Sequence, residues 1–474
     1  MNDGVTLPLW LVLLGGLLAA WALLARLLIP SVRWFFRRRL NIVIDEINQR
    51  LDLQIPAFKL TRRRILIDQL TYDPQVLEAV EQYCREHQVP SQVALEKVGR
   101  YAREIVPAFN AFLYFSFGSW LARSVVRLLY RVRMGYTDEE GLSRVEPNSS
   151  VVFVMNHRSN MDYIMLAYMA LNKAALSYAV GEWARVWPVQ QLVRALGGYF
   201  VRRNSGNVLY RRVLARYVQM ATEGGVVQAI FPEGRLSRDG NLHKPKIGLL
   251  DYMLRSFDPG GRRDLVFIPV AVNYDRVLED RTLLLESDPK GNRPPKWRAI
   301  KTTIRFIIHN LRLMLRGGWY RFGYAAVNFG SPISMREYVR EQGIDFRSLE
   351  RAERIDRVQQ FAARLMDDIG RIIPLLPVSL VAFIFSREPD RVLSHLDLKT
   401  RFHRLVEQLK AQGAQVYLPR DDRGYAFQVG LRMLTLRHLV SEEDSLYRLA
   451  PGEQEIVSYY AQAVNHLLEP LEEG

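Results

Sequence analysis

The chain has 474 residues, 49% hydrophobic and 24% charged, with a formal net charge of +15. That length holds one large domain with appendages or two to three ordinary ones, and the composition excludes a disordered polymer. One cysteine, Cys84, excludes an internal disulfide framework and a multi-cysteine zinc site, while the basic balance points to anionic partners: nucleic acid, anionic lipid or phosphorylated small molecules.

From Val5 to Ala25 no charged residue occurs, and about 20 apolar residues are what a helix needs to cross a bilayer. Asp3 precedes this run and Arg26, Arg33, Arg37, Arg38 and Arg39 follow it. It therefore reads as an uncleaved membrane anchor with the rest of the chain on the cytoplasmic side, the alternative being a buried core helix. If the source is bacterial, that membrane is the inner one. The expected division is 1–35 anchor and basic flank, 36–145 helical and membrane-associated, 146–335 α/β, and 336–474 mostly helical.

Asp73 to Phe109 has apolar residues at helical spacing, broken at Pro90 and Pro107. Phe112 to Tyr136 sets aromatics and leucines beside arginines, which suits a membrane interface or a core helix with snorkelling arginines. Strand and helix patterns then alternate: a strand at Val151, a helix from about Met161, a turn at LGGYFVRRNSG, a helix from about Val208, and strands at GVVQAIFPEG and DLVFIPVAVNYD. A basic helix near Trp297 to Arg316 and a strand at YAAVNFGSPIS complete the region. This alternation predicts an α/β fold with a mixed central sheet flanked by helices.

The stretch VVFVMNHRSNMDYIML, Val151 to Leu166, is a buried strand emptying into a polar cluster. On one continuous helix His157 and Asp162 would point roughly 140° apart. With His157 in the loop and a helix starting near Ser159 or Asn160, Asp162 falls in the first turn and reaches back to the imidazole. The aspartate then fixes the tautomer, leaving the other ring nitrogen to take a proton from an attacking hydroxyl. S-x-x-D is equally a capping box for that helix. No G-x-S-x-G elbow is present, so direct attack by a substrate alcohol is expected, with Ser159 outside the nucleophile role.

Three further clusters follow. In GGYFVRRNSG, Arg202 and Arg203 offer guanidinium forks that match phosphate oxygens, or form a solvated face. In FPEGRLSRDGNLHKPKIGLL, Glu233 and Gly234 precede Arg235, Ser237, Arg238, Lys244 and Lys246, a phosphate-binding loop or a basic surface loop. FIPVAVNYDRVLED reads as a buried strand whose Pro269 suggests an edge or a bulge and an apolar wall.

Taken in order, the four clusters resemble the four blocks of the glycerolipid acyltransferases, HRSNMD matching the H-x4-D block. HRS before DY, VRRNSGNVLY, KPKIGLL, IPVAVNYDRVLED and the C-terminal YYAQAVNHLLEP are similar to the bacterial membrane glycerol-3-phosphate acyltransferases. Two details depart from that branch. Arg235 and Leu236 stand where it has glycine then arginine, and Asn156 is typical of the lysophosphatidate branch.

The resemblance implies transfer of a fatty acyl group from acyl-CoA or acyl carrier protein to the sn-1 hydroxyl of glycerol 3-phosphate, the first step of phospholipid synthesis. His157 would be the base and Asp162 its orienter. Arg158, Ser159, Arg202, Arg203, Glu233, Gly234, Ser237, Arg238 and Lys246 would bind substrate, with Pro269 shaping the acyl pocket. No cofactor or metal is implied, and membrane lipids are the expected surroundings. Alternatives are a lysophosphatidate acyltransferase and a non-enzymatic, basic, membrane-tethered binding protein. The sequence carries no RNA-binding motif, and nucleic acid is not an expected partner.

Overall fold

Runs of β-branched and aromatic residues build one sheet in a computed structural model that describes residues 55–170, 174–181, 184–202, 205–287 and 322–468. The expected anchor, the basic helix near Trp297 to Arg316 and Arg203 lie outside the described residues. The eight strands are β1 (Arg131–Thr137), β2 (Ser150–Met155), β3 (Ser177–Val180), β4 (Gly198–Phe200), β5 (Gln228–Ile230), β6 (Leu265–Tyr274), β7 (Tyr324–Phe329) and β8 (Ile333–Ser334). Their order is β1-β7-β6-β2-β5-β3-β4, with β8 beside β6.

Strands β2 to β6 run parallel, Val151 lying opposite Val266 and Val152 opposite Gln228, whereas β7 is antiparallel to β6 and β1 parallel to β7. All ten residues of β6 are buried, as expected of a strand covered on both faces. Pro269 is therefore not on an edge. It lies between the pairing of Val270–Tyr274 with β7 and that of Val266–Phe267 with β8. Its carbonyl accepts from Gly330 N on that side, so its missing N–H falls in the gap between two ladders and costs no bond.

The prelude forms α1 (Arg63–Thr71), α2 (Pro74–His87) and α3 (Ser91–Ile105), broken at Pro90 and Pro107. Asp73 caps α2 by accepting from Gln75 N, and its other oxygen takes Arg216 Nε at 2.7 Å. That bond ties the prelude to α6 (Val208–Glu223), which follows α4 (Ser119–Leu129) and α5 (Met161–Ala170). In Phe112 to Tyr136 the helix stops at Leu129 and Arg131 onward becomes β1, joining the sheet from within the stretch read as wholly helical. Helix α4 buries Ser119, Ala122 and Val126 and leaves Phe112, Phe117 and Trp120 beside it exposed.

After α7 (Gly248–Leu254), the C-terminal region adds α8 (Arg351–Arg371), α9 (Pro377–Arg387), α10 (Arg423–Leu436) and α11 (Gln454–Leu468). Helix α8 lays Phe361 edge-on against Phe267 of β6, with ring centroids 5.2 Å apart. Every residue from Pro377 to Phe385 is buried, as a helix apolar all round must be. A small antiparallel sheet, β9 (Leu393–Ser394), β10 (Val440–Glu443) and β11 (Leu446–Leu449), interrupts the helices. Among the described residues no helix is long and apolar enough to cross a membrane.

Candidate active site

Strand β2 ends at Met155, and the chain enters a loop before α5 begins at Met161. Asn156 mimics one more strand residue: its amide donates to Val272 O at 3.0 Å and accepts from Val272 N at 2.8 Å. The residue that resembles the lysophosphatidate branch thus pins the loop to β6. His157 follows, buried, with Nδ1 2.9 Å from Asp162 Oδ2.

The same carboxylate oxygen accepts from Arg158 N at 2.7 Å and Ser159 N at 3.0 Å, and Oδ1 accepts from Tyr274 Oη at 2.7 Å. Capping and orienting are therefore one arrangement, since the donors that start the helix also hold the carboxylate under the imidazole. Burial and the adjacent Asp162 push the Tyr274 hydroxyl well above its ordinary pKa, keeping it a donor. The ring of His157 stacks on Phe231 at 4.2 Å and faces a cavity of about 350 Å³. Among the described residues His157 Nε2 has no protein hydrogen bond, which leaves it as the ring's proton acceptor.

The cavity lies at the carboxyl ends of β2, β3 and β5, where parallel sheets present ligand sites. Val180, Val201, Leu214, Phe231 and Leu249 give it an apolar wall, and Arg202, Arg211 and Lys246 line its basic side. Arg202 is held by Glu104 through Nε at 2.8 Å and Nη2 at 2.6 Å. That bidentate bond raises the Arg202 pKa further. Burial pushes Glu104 up, but the Arg202 and Arg185 guanidinium groups outweigh it and hold the carboxyl below its usual range. Lys246 and Arg211 are exposed, and neither forms an ion pair among the described residues.

The other expected substrate ligands lie elsewhere. Arg158 is buried, bonds Gly240 O and Asn273 Oδ1, and stacks over Tyr459 of α11. Ser159 Oγ donates to Glu279 at 2.7 Å and accepts from Met161 N. Ser237 donates its backbone N–H to His157 O at 2.8 Å, and its hydroxyl donates to Asn241 O and accepts from Gly240 N. Arg238 is half-buried and does not line the cavity.

Glu233 holds neither arginines nor cavity space. Its two oxygens accept from His157 N at 2.8 Å and His243 N at 3.2 Å. Burial pushes its carboxyl up while the amide donors oppose the rise. Gly234 does line the cavity at φ +67°, and a Cβ there would meet Lys246 Cδ at 3.0 Å. Pro269 is absent from the lining, so it does not shape the apolar wall.

Tyr274 and Glu279 are the functional neighbours that motif reasoning passed over. Glu279 takes Ser159 Oγ on one oxygen and Asn160 N at 3.3 Å on the other. Both sit at the end of the apolar run VFIPVAVNYDRVLE, the position that singled out His157. No cluster of histidine, cysteine or carboxylate side chains among the described residues could hold a metal ion.

Two family profiles match the chain: Acyltransferase over residues 137–273 and Glycerol-3-phosphate acyltransferase C-terminal region over residues 311–469. A glycerol-3-phosphate acyltransferase of Xanthomonas axonopodis pv. citri is 26% identical over 395 residues, 81% of this chain and 43% of the relative. One of Ectopseudomonas mendocina is 27% identical over 435 residues, 86% of this chain and 49% of the relative. The chain thus spans less than half the length of these curated relatives. The crystal structure of a 1-acyl-sn-glycerophosphate (LPA) acyltransferase from Thermotoga maritima matches 65% of this chain and 97% of its own, with 16% identity and a TM-score of 0.30.

Proposed function

We propose, from the match to the Acyltransferase profile and the similarity to bacterial glycerol-3-phosphate acyltransferases, that the chain transfers a fatty acyl group from a thioester, acyl-CoA or acyl carrier protein, to the sn-1 hydroxyl of glycerol 3-phosphate. The observation that carries this reading is the His157 Nδ1 to Asp162 Oδ2 contact of 2.9 Å on the wall of the cavity.

With Nδ1 engaged, Nε2 removes the proton of the acceptor hydroxyl as its oxygen attacks the thioester carbon. The C–S bond breaks, and the imidazolium returns the proton to the departing thiolate sulfur. Asp162 stabilises the imidazolium meanwhile. The acceptor's phosphate would lie against Arg211 and Lys246 with Arg202 beside them, and the apolar wall would take the acyl chain. Arg203 remains a candidate for the same phosphate. A thioester oxyanion needs aimed donors. The Gly234 amide is not one of them, because it donates to Phe231 O.

The membrane anchor at Val5 to Ala25 and the cytoplasmic placement belong to this proposal. The exposed Phe112, Phe117 and Trp120 suit a bilayer interface. Asn156 gives no support to a lysophosphatidate acceptor, because its side chain is bound to Val272 rather than facing the cavity.

The test is acyl transfer by the full chain in detergent, with labelled acyl-CoA and acyl carrier protein offered glycerol 3-phosphate, dihydroxyacetone phosphate and lysophosphatidate in parallel. Acylation of glycerol 3-phosphate and a dead His157→Ala variant are expected. Preference for lysophosphatidate would move the acceptor but keep the base; turnover retained in the variant would sink the mechanism.

A further inference from the structure

A second cavity, about 260 Å³, lies at the opposite end of β3 from His157: Ser177 at the start of that strand lines it, whereas Ala179 and Val180 line the catalytic cavity. Its walls carry three cations, Lys59, Arg62 and Arg63, among apolar groups including Leu66, Phe109 and Val226. No carboxylate among the described residues pairs with any of the three. Arg63 bonds only backbone carbonyls, Val106 O through Nε at 3.0 Å and Arg103 O through Nη2. Arg62 is exposed.

Lys59 is the unusual member. Its side chain is 7% exposed, Nζ donates to Ala175 O at 2.7 Å, and the ammonium lies over the Phe109 ring at 4.4 Å and the Tyr114 ring at 5.8 Å. One carbonyl and two ring faces leave donor capacity on an ammonium that has three N–H groups. Buried charges are ordinarily paired with an opposite charge or bound to an ion. Among the described residues Lys59 has neither, and burial drives its pKa down.

We propose that this cavity binds a phosphate group, with Lys59 at its base and Arg62 and Arg63 at its rim. Three cations that no described carboxylate pairs with, around a small space, fit an anion of more than one oxygen, and guanidinium forks match tetrahedral phosphate. The apolar walls accept the carbon attached to that phosphate. Its source is either a lipid headgroup or a free phosphorylated small molecule, since both present the same chemistry. An anion here completes the pairing that Lys59 lacks. The site stands apart from the catalytic cavity and does not depend on the acyl-transfer reading.

The experiment measures radiolabelled orthophosphate by equilibrium dialysis and phosphatidylglycerol by native mass spectrometry, using the full chain in detergent. Arg211→Ala/Lys246→Ala removes two cations of the catalytic cavity that have no ion pair among the described residues, so binding that survives in this protein and is weakened by Lys59→Met or Arg62→Gln reports the second site. One equivalent of one probe is expected to remain, and the probe that binds identifies the source. Adding Lys59→Met should weaken that binding by at least about tenfold, the factor of one charge-assisted hydrogen bond. Arg62→Gln, at an exposed position that leaves the fold intact, should weaken it several-fold and decides the matter if Lys59→Met fails to fold. The proposal is overturned if neither probe binds the Arg211→Ala/Lys246→Ala protein, or if Lys59→Met and Arg62→Gln leave its binding unchanged.

Discussion

The inner end and the rim of the catalytic cavity are built on opposite plans. At the inner end both oxygens of Asp162 and both of Glu233 accept hydrogen bonds, and Ser237 donates and accepts. His157 Nε2, by contrast, has no protein hydrogen bond among the described residues. At the rim, Arg211 and Lys246 are exposed and have no ion pair among the described residues, whereas Arg202 is held by Glu104. Low dielectric makes an unsatisfied buried group costly and a satisfied one rigid. The inner end can therefore hold a base within a fraction of an ångström, while cations in water stay available for a mobile anion.

Removing the inner base should do the most damage. Beside His157→Ala, Asp162→Asn is expected to lower kcat by about 10³-fold, because the amide cannot hold the reacting tautomer and its N–H₂ opposes the Arg158 and Ser159 donors. Thermal unfolding separates that from stability, since the same change weakens the start of α5 by about 1 kcal/mol. If kcat survives, Asp162 is only a cap and the two plans collapse into one.

At the rim a smaller and different effect is expected. Arg211→Ala and Lys246→Ala should each raise KM for the phosphorylated acceptor about tenfold with little change in kcat, the mark of uniform binding. Arg158→Met and Ser237→Ala should instead lower stability and leave KM alone, because those side chains bond protein atoms. A rise in KM from Ser237→Ala with stability unchanged would restore that residue to the substrate.

Much of the inner end was legible in the sequence, because its signals are local. An apolar run, a polar loop and an aspartate in the first helical turn occupy a dozen residues, and the structure puts them at β2, the loop and α5. The roles of Arg158, Ser159 and Glu233 were not legible. Their partners, Tyr459, Glu279 and His243, come from distant segments, and a buried arginine reads in one dimension like an anion ligand. The strand Arg131–Thr137 was hidden for a related reason. Its residues are largely exposed and interleaved with arginine, so it lacks the alternation that marks a half-buried strand. Pro269 misled because the exception it exploits, a gap between two ladders, is a property of three strands at once.

The smallest expected effect concerns a carboxylate with fewer donors than Asp162. Asp275 is equally buried but accepts only Tyr324 N at 2.8 Å and Val378 N at 3.1 Å, and burial pushes its pKa up to about 7. An unfolded aspartate titrates near ~3.9. Between those values the folded chain holds a proton that the unfolded chain has lost, so unfolding releases it and stability falls as pH rises. The contribution is fully present below about pH 4 and is lost as pH rises through about 7. Glu233 and Glu279, also raised by burial, slope the same way, so the comparison must be between wild type and Asp275→Asn. Denaturant unfolding from pH 4.5 to 8, within about the limits of that window, should show the wild type losing on the order of 2 kcal/mol more than the variant. Parallel curves would mean that two amide donors suffice to keep the fully buried Asp275 carboxylate charged.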